Sequence, residues 1–222
     1  MTSTLALLAS ACASSDEGDQ SNDVQAAAFE IAPYIQAVTQ TSACIHWRAR
    51  APRAANVTVA SRGPGGRIFR GHAGATFSTK ACFDELLPGT TYDYSVTLDG
   101  PVEHTQRAVF ETARTHYDKV RFEFISDTQT LSTAHDNFID PINARAPDLI
   151  INGGDLVGPS SDITGPTDKG VEFVKYAKIA QKYGKRVPVF PVIGNHDYDL
   201  ACDPAFVSLH LADVDHGASL SA

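Results

Sequence analysis

Three apolar runs in the second half of the chain each end in polar residues, and nothing else in the sequence constrains the fold as much. "KVRFEFISD" stops at Asp127, "DLIINGGD" at Asp155, and "VPVFPVIGNHD" at Asn195, His196 and Asp197. In the first run Val120, Phe122, Phe124 and Ser126 alternate against Arg121, Glu123 and Ile125, the period of a strand. Between the runs lie two helical stretches. "TAHDNFIDPINARAP" contains Pro141, which lacks an N–H and predicts a bend or a split. "DKGVEFVKYAKIAQKYGKR" marks one face with Val171, Val174, Ala177 and Ile179 and stops at Gly184. Strand, helix, strand, helix, strand predicts a buried parallel sheet with crossover helices.

In such sheets sites form at the C-terminal edge of the strands. Asp127, Gln129, Asp155, Asn195, His196 and Asp197 are therefore expected to converge although they are tens of residues apart. The set is rich in oxygen donors with an imidazole beside them, which suits Mn, Fe, Zn or Mg. Gly153 and Gly154 let the chain turn sharply so that the Asp155 carboxylate points into the site. One carboxylate can bridge two ions, and such a pair can activate water and clamp a phosphoryl oxygen. His135 lies near the first run and reads as a solvated helical residue.

The first half has a different grammar. Residues 29–115 hold short strands separated by turns. Ala43, Ile45 and Trp47 share a face of "TSACIHWRAR". "ANVTVAS" and "GRIFRG" flank the turn "RGPGG". Tyr92, Tyr94, Val96 and Leu98 alternate after Pro88–Gly89, and "RAVFETAR" closes the unit. This spacing predicts a β-sandwich without a catalytic constellation. His46, His72 and His104 are scattered through it and read as surface or structural residues.

Residues 1–28 are neither. "TLALLASAC" is too short to span a bilayer, which takes roughly 20 apolar residues, and reads as an export signal. "LLASAC" is similar to a bacterial lipobox, which implies lipid on Cys12, a membrane anchor, and a periplasmic or extracellular location. The acidic "ASSDEGDQSND" that follows reads as a tether. The net charge of −8, with no basic cluster, argues against a nucleic-acid backbone as partner. Cys202 is left over without an evident mate.

"SDTQ", "GGDLV" and "GNHD", in that order at strand ends, resemble the calcineurin-like metallophosphoesterases. The resemblance implies a partial four-layer αββα sandwich over residues 119–222, two divalent or trivalent ions, and hydrolysis of phosphate mono- or diesters. Carried over, Asp127 binds the first ion, Asp155 bridges both, and Asn195 binds the second. His196 serves the phosphoryl group or its leaving oxygen, and Asp197 holds the His196 ring. Gln129 stands where the family has a histidine; it is a weak ligand or bonds only to water. Gly158 stands where purple acid phosphatases carry a tyrosine, so no phenolate-to-iron colour is implied. The family's domain is about twice this length, and His210 and His216 lack the context of its later histidine motifs. The chain thus reads as C-terminally truncated, with a non-catalytic exported surface protein as the alternative function.

"LLPGTTYDYSV", Trp47 and the closing Phe110 and Thr112 resemble a fibronectin type III domain. In that alignment Cys44 and Cys82 fall on neighbouring strands and face away from the core. A disulfide is one reading of them and two free thiols the other.

Overall fold

A computed structural model describes residues 28–63, 65–128, 133–157, 166–192 and 194–197, without the side chains of 133–134 and 166–173. Cys12, Gln129, Gly158, Cys202, His210 and His216 lie outside these residues, as do residues 1–27, on which the expected export signal and tether fall.

Five strands build the first unit: β1 (Phe29–Gln36), β2 (Ala43–Ser61), β3 (Ile68–Phe83), β4 (Thr91–Leu98) and β5 (His104–Glu111). β2 merges two strands expected separately, and so does β3. The first half of β2 pairs with β1 and with the end of β3; the second half pairs with the start of β3 and with β4, which pairs with β5. All these pairings are antiparallel. The register between β2 and β3 breaks between Arg48 and Ala55, where β2 carries extra residues, including Pro52. A bulged strand bends and can change layers there. Trp47 and Ala49 from one end and Val57 and Val59 from the other join Tyr92, Tyr94, Val96 and Phe110 in a single core. The ladder is thereby folded into a two-layer β-sandwich. Cys44 pairs with Cys82 across β2 and β3, and the two form a disulfide.

Tyr92, Tyr94, Val96 and Leu98 are buried as their alternation requires. The Tyr92 hydroxyl accepts the Leu87 amide at 2.8 Å, and Thr112 Oγ1 donates to the Leu87 carbonyl at 2.6 Å, closing the Pro88–Gly89 corner. His46 is buried against Tyr34, and the exposed His72 bonds Asn56.

The second unit is a parallel sheet of β6 (Phe122–Ile125), β7 (Leu149–Asn152) and β8 (Val189–Pro191). Helix α1 (Thr133–Arg145) links the first pair and α2 (Pro166–Gly184) the second. α1 runs through Pro141 without a split. α2 buries Tyr176, Ala177, Ala180 and Tyr183, while Val174 and Ile179 are only half-buried. Of the expected face Ala177 is buried, and Tyr176 and Tyr183 take the deepest places beside it; the Val171 side chain lies outside those described. The sheet departs from expectation as well. Ile150, Asn152 and Val189 are covered, but Phe122, Phe124, Phe190 and Val192 on the opposite face are about half exposed. Register aligns Phe124, Ile151 and Phe190 in one row of that face. Among the described residues this is one three-stranded layer covered on one side. No described helix is long and apolar enough to cross a membrane.

The two units share an interface. β1 has register shifts between Phe29 and Ile31 and between Ile31 and Tyr34, each placing one extra residue on β1. A single insertion flips the face of everything after it. Phe29 and Ile35 therefore enter the sandwich core, while Ile31 and Tyr34 join the core built by α1, α2, β7 and β8. The Tyr94 hydroxyl, whose pKa burial drives far above the ordinary phenol value, lies within hydrogen-bonding distance of the carbonyls of Pro33, at 3.1 Å, and Lys185, at 2.9 Å. Glu30 bonds Arg48 at 2.7 Å and Lys178 of α2 at 3.5 Å.

Candidate metal centre

Each strand of the parallel sheet hands its C-terminal end to a loop, and the loops are stitched together. The Asp127 amide donates to the Gly154 carbonyl at 3.1 Å, and the Gly153 amide to the Ile125 carbonyl at 2.8 Å, joining the first loop to the second. The Val192 amide donates to the Asn152 carbonyl at 2.8 Å. Carboxylates complete the join between the second and third loops. Asp155 Oδ1 accepts the His196 amide at 3.0 Å. Asp197 accepts the amides of Leu156, Val157 and Gly194 at 2.9–3.1 Å.

Two of the candidate ligands sit in unusual backbone. Asp127 has φ +55° and Asp155 φ +52°, the left-handed region that aspartate tolerates better than most residues. Such conformations persist where the surroundings dictate them, and they gather at functional sites. Gly194 is forced by contact instead. A Cβ there would lie 2.1 Å from Asp155 Oδ1 and 2.4 Å from the Asp155 nitrogen. The glycine lets the third loop lie directly on the second.

The structure brings Asp155, His196 and Asp197 into one bonded cluster and ties Asp127 to it through Gly154. Asn195 is exposed in the turn beside them, and His196 is half-buried. Asp197 corrects an expectation. Its carboxylate is buried and taken up by three backbone amides, so it fixes the loops; no described bond joins it to the His196 ring. A buried carboxylate needs such donors to offset its lost hydration.

The donors suit hard divalent ions in kind: two carboxylates and a carboxamide on adjoining loops. Among the described residues, Asp155 keeps one oxygen without a hydrogen bond, and Asp127 accepts from Ser126 Oγ at 2.5 Å. Among the described residues no group of three or more His, Cys, Asp or Glu side chains gathers as a complete site.

His135 is a second correction. It is buried, its ring is stacked on Tyr176 with centroids 5.9 Å apart, and its Nε2 is 3.2 Å from the Tyr183 hydroxyl. It faces inward because α1 turns that side onto α2. Burial lowers its pKa; Asp136 acts against that and Lys182 with it. Sequence reading also passed over Asn152, and it read in Gly194 the turn but not the close approach to Asp155. "NGGD" held the signal for the first, since an asparagine commonly bonds its own chain two residues on. The close approach has no such signature.

A family model for the calcineurin-like phosphoesterases matches residues 120–219. Among solved structures, PhoD is similar at 16% identity and a TM-score of 0.59, over 77% of this chain and 40% of its own. Purple acid phosphatase PPD1 from yellow lupin (Lupinus luteus) seeds is similar at 14% identity and 0.53, over 74% of this chain and 35% of its own. At those identities the likeness is one of fold, and the chain spans less than half the length of either structure. No curated protein matches the chain. Strand-end motifs, parallel sheet and family model agree over one stretch: residues 120–219 of this chain are similar to the calcineurin-like phosphoesterases.

Proposed function

We propose that the chain serves the metal-dependent hydrolysis of phosphate mono- or diesters by a binuclear centre. The observation that carries this reading is the stitching of the Asp127, Asp155 and Asn195–Asp197 loops at the C-terminal edge of one parallel sheet. Asp127, Asp155 and Asn195 would hold the ions, with Gln129 a further candidate. When bound, divalent ions supply the positive charge that draws a phosphoryl oxygen and eases the ionisation of water. Asp155 is preset for its part because the His196 amide fixes one of its oxygens. His196 holds the proton that the leaving oxygen takes up. Asp197 keeps the His196 turn seated on the Asp155 loop. Export with Cys12 lipidated, which places the site outside the cytoplasm, is part of the same proposal. Its support is the sequence "LLASAC".

The test is hydrolysis of nitrophenyl phosphate and bis-nitrophenyl phosphate by the purified chain loaded with Mn, Zn or Fe, with and without chelator. Asp155→Asn should abolish turnover. His196→Ala should slow it and leave metal bound. No chelator-sensitive hydrolysis would leave the second reading, a non-catalytic exported surface protein. Membrane fractionation of a Cys12→Ala variant tests the anchor.

A further inference from the structure

Asn152 closes β7 and is wholly buried. Its carboxamide works in two directions. Oδ1 accepts the Gly154 amide at 3.1 Å, while Nδ2 donates to the Tyr176 hydroxyl at 3.2 Å. Tyr176, itself buried on α2, shares a hydrogen bond with Tyr183. Tyr183 meets His135 of α1. A buried chain of polar groups therefore runs from α1 through α2 to the loop after β7.

Gly154 is the residue on which both carboxylate loops depend. Its N–H is held by Asn152, and its carbonyl accepts the Asp127 amide. Its φ is +104°, and Asp155 follows at +52°. A carboxamide in an apolar layer costs free energy unless both ends are bonded. An aliphatic residue could fill this strand position without that cost, but it could not hold the Gly154 N–H.

We propose that Asn152, locked by Tyr176, is a positioning residue that sets the placement of Asp127 and Asp155 through Gly154, whose N–H it holds. This inference rests on the phosphoesterase reading above. Asn152 touches neither ion nor substrate in this role; it holds the glycine from which both ligands hang.

The full chain is compared with Asn152→Ala, Tyr176→Phe and Tyr183→Phe. Three quantities are read: hydrogen exchange over 152–157 in metal-free protein, Mn2+ affinity by competition with a fluorescent chelator, and metal-free melting temperature. Asn152→Ala and Tyr176→Phe should speed exchange at Gly154 and weaken Mn2+ binding about 10- to 100-fold. Tyr183→Phe deletes the same hydroxyl from the same core one bond further away; it should lower the melting temperature and leave Mn2+ affinity as in wild type. Unchanged exchange in Tyr176→Phe, which keeps the packed ring, overturns the inference. Equal loss of Mn2+ affinity in both tyrosine variants also overturns it. Wild-type Mn2+ binding that none of the variants weakens overturns the inference and leaves the phosphoesterase reading standing. A wild-type chain that binds no Mn2+ overturns both.

Discussion

Asp155 and Asp197 each bond the other's loop. Asp155 Oδ1 accepts the amide of His196, next to Asp197, and Asp197 Oδ1 accepts the amide of Leu156, next to Asp155. The exchange makes the second and third loops one object. Asp197→Asn trades a carboxylate that accepts three amides for a group that must present two donors of its own. The variant should lose about 3 kcal/mol of stability, since hydrogen bonds to charged groups are among the stronger ones. Metal affinity should fall with it. If Asp197 acted on the His196 ring instead, the pH profile of turnover would shift while stability and metal affinity held.

Gly194→Ala puts a methyl group where Asp155 already sits. Relief requires the third loop to lift from the second, because one of the opposing atoms is backbone. A cost of about 1–3 kcal/mol is expected from overpacking alone. Weaker Mn2+ binding should accompany a lower melting temperature. An alanine variant with both properties intact would show that the loops do not lie in contact.

His135 makes stability depend on pH. Its folded pKa is lowered, chiefly by burial, so the unfolded chain binds a proton where the folded chain does not. Its contribution is complete above the unfolded value of about 6.5 and is lost as pH falls from there toward the folded value. The groups around it are Asp136 on its own helix and Lys182, Tyr176 and Tyr183 on α2. His135→Gln keeps a partner for Tyr183 and removes the titration. Melting temperature measured from about pH 7 to pH 5 should then decline less steeply than in wild type; parallel curves would remove His135 as a source of the slope.

Ile31 belongs to the sandwich by backbone and to the second unit by side chain. Ile31→Ala should cost about 2–5 kcal/mol. Urea unfolding of the whole chain should show one transition, displaced as a whole by the substitution. Two transitions, of which only one moves, would contradict a common interface core.

The parts of this molecule legible in its sequence are those governed by a regular period or by turn chemistry. Tyr92, Tyr94, Val96 and Leu98 lie as their alternation dictates, and the strands of the parallel sheet stop at their predicted loops. The parts that escaped depend on contacts between distant segments. The merged strands β2 and β3 turn their corner at bulges, which composition does not mark. His135 looks solvated on its own helix and is buried only because α2 lies across it. Asp197 has the same carboxylate whether it meets an imidazole or three amides, and the choice is made by a loop some forty residues away.

β1 has a consequence for how tandem domains can be read. A sandwich strung loosely before its neighbour gains nothing from apolar residues on the outside of its first strand. In "FEIAPYIQ" both sides are apolar, because each of the two bulges turns a side chain outward to α2. A first strand that is greasy front and back is thus a mark of docking. Grafting this sandwich onto an unrelated partner would call for polar residues at 31 and 34, while moving it together with α2 would not.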